Sequence, residues 1–154
     1  MLRSTETMQD NQRVLYTGGT FDLFHFGHQN FLQQCKRIAD KVIVALNRDD
    51  FVESFKGKKP IMNYSEREQS LRYCKFVDEV ILNGAGKDSR SCILSVNPDI
   101  IAVGDDWAKK DYYKQMNFDQ QWLDDNQITL VYMPYTRGIS TTEIRKRVLE
   151  YDGK

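Results

Sequence analysis

The only two histidines of the chain lie three residues apart behind a glycine-rich turn. They are His25 and His28 in the segment GGTFDLFHFGH, residues 18–28. A short apolar segment precedes the turn, and apolar residues at helical spacing follow it. The unpaired N–H groups of a helix N-terminus, together with the positive end of its dipole, form an anion site. The spacing therefore predicts phosphate chemistry at this turn, with imidazoles adding hydrogen bonds and charge.

The spacing of the histidine pair favours a joint role. Residues i and i+3 share one face of a helix, and Gly27 between them lets a ligand approach the backbone. Two imidazoles at an α-phosphate could stabilise the charge that builds up in a pentacoordinate transition state. One alternative is a pair of capping or packing histidines. The other is a zinc site, which lacks a nearby third ligand.

A second motif, Gly138-Ile139-Ser140-Thr141-Thr142-Glu143, begins the last predicted helix. Ser140 and Glu143 have the spacing of a capping box. A glycine and three hydroxyls at a helix N-terminus also suit the terminal phosphates of a nucleoside triphosphate, so a capped helix and a phosphate site are compatible. Arg137 adjoins the motif and could pair bidentately with phosphate. One turn further on, at least two of Arg145, Lys146 and Arg147 are expected on a solvated face.

Two further charged groups follow predicted strands. Lys56, Lys58, Lys59 and Arg67 form a basic stretch, which is either a solvated loop or a source of cations for phosphates. Asp105 and Asp106 belong to the segment GDDW, residues 104–107. Their carboxylates could bind a sugar hydroxyl, a base amino group or magnesium, and the alternative is a turn with a helix cap.

Five apolar segments of strand length alternate with helical segments along the chain. The predicted strands are 13–17, 41–46, 77–82, 100–103 and 128–133, and the predicted helices are 29–39, a helix from 65, 89–96, 112–126 and 140–151. Such alternation predicts a Rossmann-like, doubly wound α/β fold, with five parallel strands and helices on both faces. Ligands of such sheets bind beyond the carboxyl ends of the strands, where the three motifs would meet. We expect a flexible tail over 1–12 and a single domain over 13–154.

Composition excludes several classes of partner. The chain has 154 residues, 22 basic and 22 acidic side chains and no formal net charge, so no overall field favours nucleic acid or a membrane surface. No apolar run approaches the ~20 residues that cross a bilayer, and the polar start lacks a signal-peptide pattern. Cys35, Cys74 and Cys92 are spaced for neither zinc nor a redox pair. These features predict a cytoplasmic protein with reduced thiols.

The motifs GTFDLFHFGH, GDDW and GISTT, in this order and spacing, resemble the cytidylyltransferase branch of the HxGH nucleotidyltransferases over residues 14–148. The resemblance implies that a substrate phosphate attacks the α-phosphorus of CTP, giving a CDP-linked product and pyrophosphate. It also implies Mg²⁺ carried by CTP, a homodimer, and a small phosphorylated alcohol as acceptor, with glycerol 3-phosphate the best guess.

The resemblance also implies roles for individual residues. The catalytic residues would be His25, His28, Lys58 and Arg137, and the acceptor would be bound by Arg67 and Lys75. The nucleotide would be bound by Gly19, Thr20, Phe21, Asp22, Gly27, Lys56, Asp105, Asp106, Gly138, Ile139, Ser140, Thr141 and Thr142.

The chain departs from the family pattern in places that bear on function. Tyr135 stands where the family has an arginine, Arg137 comes two residues later, and Lys75 replaces a second arginine, a point charge in place of a planar fork. Two alternatives follow from these departures. One is an adenylyltransferase of the same superfamily that acts on a flavin or sugar phosphate. The other is a nucleotide-binding regulator without catalysis.

Overall fold

The computed structural model describes residues 11–84, 88–106 and 112–153, in which five strands form one parallel sheet. The strands are β1 (Val14–Gly19), β2 (Lys41–Asn47), β3 (Glu79–Asn83), β4 (Ile100–Gly104) and β5 (Thr129–Met133), in the order β3-β2-β1-β4-β5. The chain winds outward from β1 to one edge and returns to build the other half. The doubly wound, five-stranded α/β fold is thus confirmed. Residues 1–10 of the predicted tail lie outside the described ranges.

Helices connect consecutive strands throughout these ranges. They are α1 (Phe26–Ile38), α2 (Asp49–Lys56), α3 (Tyr64–Arg72), α4 (Arg90–Val96), α5 (Tyr112–Met116), α6 (Gln120–Asp125) and α7 (Thr141–Asp152). None of these helices is both long and apolar enough to cross a membrane.

Two helical segments differ from the prediction. No helix was predicted between residues 46 and 65, but α2 forms there. Asp49 and Asp50 occupy its first turn, and Gly57, at φ 78°, closes its end with an N–H donated to Glu53 O. The single helix expected over 112–126 is divided into α5 and α6. Asn117 between them has φ 60°, and the Asp119 carboxylate accepts the Trp122 N–H at 2.8 Å to start α6.

Alternate residues of the central strands enter two separate apolar clusters. Leu15 and Val44 belong to one cluster with Phe31 and Leu71, from α1 and α3. Tyr16, the next residue of β1, belongs to the other, which includes Ile93 of α4 and Leu123 of α6. Because successive strand residues point to opposite faces, helices cover both sides of the sheet.

The strand order reverses at β1, which pairs with β2 on one side and with β4 on the other. Ligand sites of doubly wound sheets lie at this reversal, beyond the carboxyl ends of the strands. Two hydrogen bonds hold the start of α7 against the turn after β1 and the loop before α7 against α1. Thr141 Oγ1 donates to Asp22 O at 3.0 Å, and Asn30 Nδ2 donates to Thr136 Oγ1 at 3.0 Å. Segments over a hundred residues apart therefore share one crevice.

Candidate active site

A cavity of about 1050 Å³ opens at the carboxyl ends of the strands. It is large enough for a nucleotide and a small second substrate. The structure brings together at its wall most of the site residues predicted from the sequence: Gly19, Thr20, Phe21, Asp22, His25, Gly27, His28, Lys56, Lys58, Asp106, Ile139, Ser140, Thr141 and Thr142. It does not place Arg67, Lys75, Asp105, Arg137 or Gly138 at this wall.

The two histidines cap α1 and contact each other. His25 Nδ1 accepts the Gly27 N–H at 3.0 Å, and His28 Nδ1 accepts the His25 N–H at 3.2 Å, which completes a reciprocal capping box. Their rings stack with centroids 3.8 Å apart. Since Nδ1 is the acceptor in each neutral ring, Nε2 carries the proton and is the donor. Capping thus uses Nδ1 of each ring and leaves its Nε2–H as a donor that an anion could accept.

Burial, and after it the neighbouring His25, lowers the pKa of His28 to about 3. Burial also lowers the pKa of His25. The pair is therefore uncharged at neutral pH, whereas the sequence predicted that it would contribute charge. Phe21 and Phe24 supply part of this apolar environment, with ring centroids 5.2 Å and 5.9 Å from that of His28. Before an anion binds, the rings act as neutral hydrogen-bond donors.

The turn between β1 and α1 is tightly packed. Phe21 and Leu23 adopt positive φ values of 53° and 57°, a conformation that non-glycine residues rarely hold without support. A Cβ atom at Gly27 would lie 2.9 Å from His25 Cε1 and 3.3 Å from Ile139 Cγ2. Glycine is needed there for close packing between the histidine pair and the α7 motif.

Asp22 holds the basic loop against the cavity. Its carboxylate accepts the backbone N–H groups of Ile61 and Met62 at 2.8 Å and 2.9 Å. The preceding residues Lys56, Lys58 and Lys59 line the cavity. The structure thus brings the predicted cations to the histidine turn, and Asp22 positions the loop.

Arg67 is fully buried behind this loop. Its guanidinium donates to the backbone carbonyls of Thr20, Asn47 and Met62 at 2.9 Å each and pairs with the Asp49 carboxylate. Four of its five N–H groups are thus engaged. This geometry does not support the predicted role of Arg67 in acceptor binding. Arg67 is instead a structural brace that joins the ends of β1 and β2 to the loop.

Lys75 lies before β3, at the amino-terminal edge of the sheet and away from the cavity, with its Nζ 5.3 Å from the Phe76 ring centroid. Arg137 is exposed and also lies outside the cavity wall. Arg145, one turn into α7, lines the cavity and donates to Thr142 Oγ1 at 3.1 Å. At the start of α7, the guanidinium in the cavity wall is therefore that of Arg145 and not that of Arg137. Helical spacing from Thr142 was the signal that could have identified it.

Of the two carboxylates predicted to bind the nucleotide after β4, only one lies in the cavity wall. Asp106 lines the cavity and hydrogen-bonds Tyr135. Burial, and after it Asp106, raises the pKa of Tyr135. A Cβ atom at Gly104 would lie 2.5 Å from Tyr135 Cζ, so the ring packs directly on this glycine. Asp105 accepts the Tyr135 N–H at 3.3 Å, and Trp107 of the GDDW segment lies outside the described residues.

Two asparagines in the cavity wall were missed. Asn47 ends β2 and Asn83 ends β3, and both are buried. Asn47 Nδ2 donates to Thr20 Oγ1 at 3.2 Å. A polar residue that ends a predicted apolar strand was the available signal, because such residues lie at the ligand-binding edge.

The doubly wound sheet and its cavity are typical of a nucleotide-binding α/β protein. The phosphates of a nucleotide in this cavity would meet a histidine-capped helix, a lysine loop and a hydroxyl-rich helix start. A family model described as "Cytidylyltransferase-like" matches residues 16–147. The chain belongs to this family and is a nucleotidyltransferase.

Similar proteins differ in their substrates. Glycerol-3-phosphate cytidylyltransferase of Bacillus subtilis (strain 168) is 36% identical over 137 residues, which cover 88% of this chain and 97% of the relative. An FAD synthase of Thermococcus sibiricus is 34% identical over 139 residues, covering 87% and 90%. The solved lipopolysaccharide core biosynthesis protein from Thermoplasma volcanium GSS1 superposes with a TM-score of 0.62 at 28% identity, covering 82% of this chain and 98% of the other.

Proposed function

We propose that the protein transfers CMP from CTP to a small phosphorylated alcohol, with glycerol 3-phosphate as the first acceptor to test. One observation carries the proposal: two histidines that use Nδ1 for capping, and so keep Nε2–H as their donor, line the same cavity as the α7 hydroxyls and the lysine loop. The chain is also similar to a glycerol-3-phosphate cytidylyltransferase over nearly the full length of both proteins.

The proposed step is an in-line displacement at the α-phosphorus. An oxygen of the acceptor phosphate forms a bond to this phosphorus, the bond to the α–β bridging oxygen breaks, and that oxygen leaves with pyrophosphate. His25 and His28 donate through Nε2–H to the non-bridging α-oxygens, where negative charge accumulates. No proton needs to be removed from an acceptor phosphate that is already an anion.

The leaving pyrophosphate is assigned to the start of α7. Ser140, Thr141 and Thr142 line the cavity there, where backbone N–H groups and the helix dipole favour an anion. Arg145 adds a planar cation that suits phosphate oxygens. Lys56 and Lys58 are assigned to the phosphates that meet at the reacting centre. Charge on the leaving group is thus neutralised by groups separate from the histidines.

Mg²⁺ is expected to arrive with the triphosphate. No cluster of three or more His, Cys, Asp or Glu side chains that could hold a metal occurs within the described ranges. Asp22 and Asp106 line the cavity, but Asp22 already accepts loop N–H groups and Asp106 bonds Tyr135. This donor set fits an ion held mainly by phosphate oxygens and water. When bound, the ion would neutralise charge on the phosphates.

A second candidate is an adenylyltransferase acting on a flavin phosphate. The similarity to an FAD synthase, 34% identical over 139 residues, favours it specifically. The two candidates use different nucleotides, CTP or ATP, so they differ in which nucleotide should stabilise the folded protein more. A nucleotide that binds only the native state raises the melting temperature, so CTP should raise it more than ATP does at equal concentration. A larger shift with ATP would favour the adenylyltransferase.

The proposal is tested by incubating the protein with Mg²⁺, CTP or ATP, and a panel of phosphorylated acceptors that includes glycerol 3-phosphate and flavin mononucleotide. Pyrophosphate release and the mass of the product are measured. We expect a CDP-linked product, and at least a tenfold lower kcat for His28→Ala. Tight CTP binding without turnover of any acceptor would contradict the proposal and favour a nucleotide-binding regulator.

A further inference from the structure

Two asparagine side chains in the cavity wall have no part in the proposed phosphate chemistry. Asn47 and Asn83 are register partners at the last position where β2 pairs with β3. Both line the cavity, yet only 8% of Asn47 and 4% of Asn83 is exposed. Polar residues buried this deeply are normally fully hydrogen-bonded, so the bonds of this pair show what it can still bind.

The hydrogen bonds of the pair run in one direction toward the histidine turn. Asn83 Nδ2 donates to Asn47 Oδ1 at 2.9 Å, and Asn47 Nδ2 donates to Thr20 Oγ1 at 3.2 Å. Arg67 donates to the backbone carbonyl of Asn47 at 2.9 Å. In this arrangement the Asn47 amide holds the Asn83 amide in place, because flipping one of them alone would place like atoms against each other.

Asn83 Oδ1 is left as a buried acceptor without a hydrogen-bond partner among the residues that the structure describes. An unsatisfied buried acceptor costs roughly 1–3 kcal/mol. Buried polar groups of this kind need a reason in the native state. An oxygen oriented by a fixed amide chain in the wall of a substrate cavity has one: a donor on a ligand would satisfy it.

We propose, on the basis of the function proposed above, that Asn83 recognises a hydroxyl group of the acceptor and thereby selects a hydroxylated phosphorylated alcohol. The groups assigned to the triphosphate come from the turn after β1, the lysine loop and the start of α7. The wall at the ends of β2 and β3 is left for the second substrate. Asn83 would accept a hydrogen bond from the acceptor through Oδ1 while Asn47 holds the amide in place.

A hydroxyl fits this wall better than an ammonium group does. Ser89, the next described lining residue after Asn83 in the chain, also lines the cavity, and its Oγ donates to Sδ of Met116, another lining residue, at 3.4 Å. None of these side chains carries a charge. An ammonium group buried against a neutral amide would lose hydration without gaining a counter-ion, whereas a hydroxyl needs only the hydrogen bond. The wall therefore selects a neutral donor.

The test compares acceptors with and without hydroxyl groups. We would measure kcat/KM, with saturating CTP, for glycerol 3-phosphate, for propyl phosphate, which has no hydroxyl, and for phosphoethanolamine, which carries an ammonium group. A site built around a hydroxyl rejects the analogue that lacks it, so the wild type should prefer glycerol 3-phosphate by about tenfold or more over both others. In Asn83→Leu, which is similar in size, the preference over propyl phosphate should fall below about threefold, with KM for CTP unchanged.

Asn126→Leu is the matched control, since Asn126 lies after α6, donates to Trp122 O at 2.8 Å and is not part of the cavity wall. It should keep the wild-type preference. If Asn83→Leu does not fold, as judged by its thermal melt, Asn83→Ala is used in its place. Turnover with the same acceptor preference in wild type and variant, or a wild-type preference for phosphoethanolamine, would overturn the role of Asn83 alone. No turnover of any acceptor would overturn the proposed function and this inference with it.

Discussion

The histidine pair shows how one set of hydrogen bonds can serve both the fold and the site. Capping uses Nδ1 of each ring, which fixes the tautomer and leaves Nε2–H as the donor. Burial keeps the rings neutral, so no fixed positive charge has to be desolvated before a nucleotide binds. The residue types and the spacing predicted a phosphate site at this pair. Its neutrality could not be predicted, because it depends on neighbours such as Phe21 that only the folded turn brings close.

The lowered pKa of His28 makes stability depend on pH in a specific window. In the unfolded chain the residue takes up a proton near pH 6.5, whereas in the folded protein it does so near 3. As pH falls through this range, the unfolded state binds the proton first, and the folded state is destabilised relative to it. The contribution at pH 5 is on the order of 2 kcal/mol compared with neutral pH.

His28→Asn provides the comparison for this prediction, since asparagine offers an acceptor for the His25 N–H but does not titrate. Urea unfolding at pH 7 and pH 5 should show a larger loss of unfolding free energy for the wild type than for the variant. Equal losses in both proteins would contradict the assigned pKa.

At the scale of elements, the site depends on short segments that hold one another. Asp22 anchors the loop after α2, Thr141 ties α7 to the turn after β1, and Arg67 of α3 joins the ends of β1 and β2. Sequence patterns predicted the strands and the start of α7 because apolar runs and capping residues are local signals. They did not predict that Arg67 would be a brace, since a basic residue in a helix has the same local pattern whether it is exposed or buried.

The start of α7 should owe its affinity for the triphosphate to Arg145 and not to Arg137. Arg145 lines the cavity beside Thr142, whereas Arg137 lies outside the wall. Arg145→Gln removes a charge-assisted hydrogen bond to phosphate and should lower kcat/KM for CTP by roughly 10- to 100-fold. Arg137→Gln is the matched change and should stay within about threefold of the wild type. The reverse order in steady-state kinetics would refute the assignment.

Arg67 should matter for stability more than any exposed arginine of the same helix. Arg67→Met leaves the Asp49 carboxylate and three backbone carbonyls without their donor. Breaking a buried ion pair in this way costs about 3–5 kcal/mol. Arg72→Met, which disrupts a largely exposed pair with Glu68, should cost less than about 1 kcal/mol. Chemical denaturation measures both, and similar losses would show that Arg67 is not the brace described here.

In the molecule as a whole, the strand order determines which segments of the chain lie together at the cavity. Order β3-β2-β1-β4-β5 places the ends of β1 and β4 at the reversal, and α7 returns there from the edge strand β5. Alternating strands and helices were enough to predict this architecture and the convergence of the motifs. The amide chain from Asn83 to Thr20 was not predictable, because it needs the exact pairing of β2 with β3. Lys75 was predicted to be a site residue but lies at the opposite edge of the sheet, because its position before β3 places it there.

In the proposed function, an acceptor phosphate attacks the α-phosphorus of CTP in this cavity. The most direct test follows label from α-³²P-CTP and γ-³²P-CTP in separate reactions with Mg²⁺ and glycerol 3-phosphate, for the wild type and His28→Ala. We expect α-label in a CDP-linked product and γ-label only in pyrophosphate, and the variant should form both at least tenfold more slowly. Release of γ-label as inorganic phosphate, or of α-label only as CMP, would contradict the proposed function.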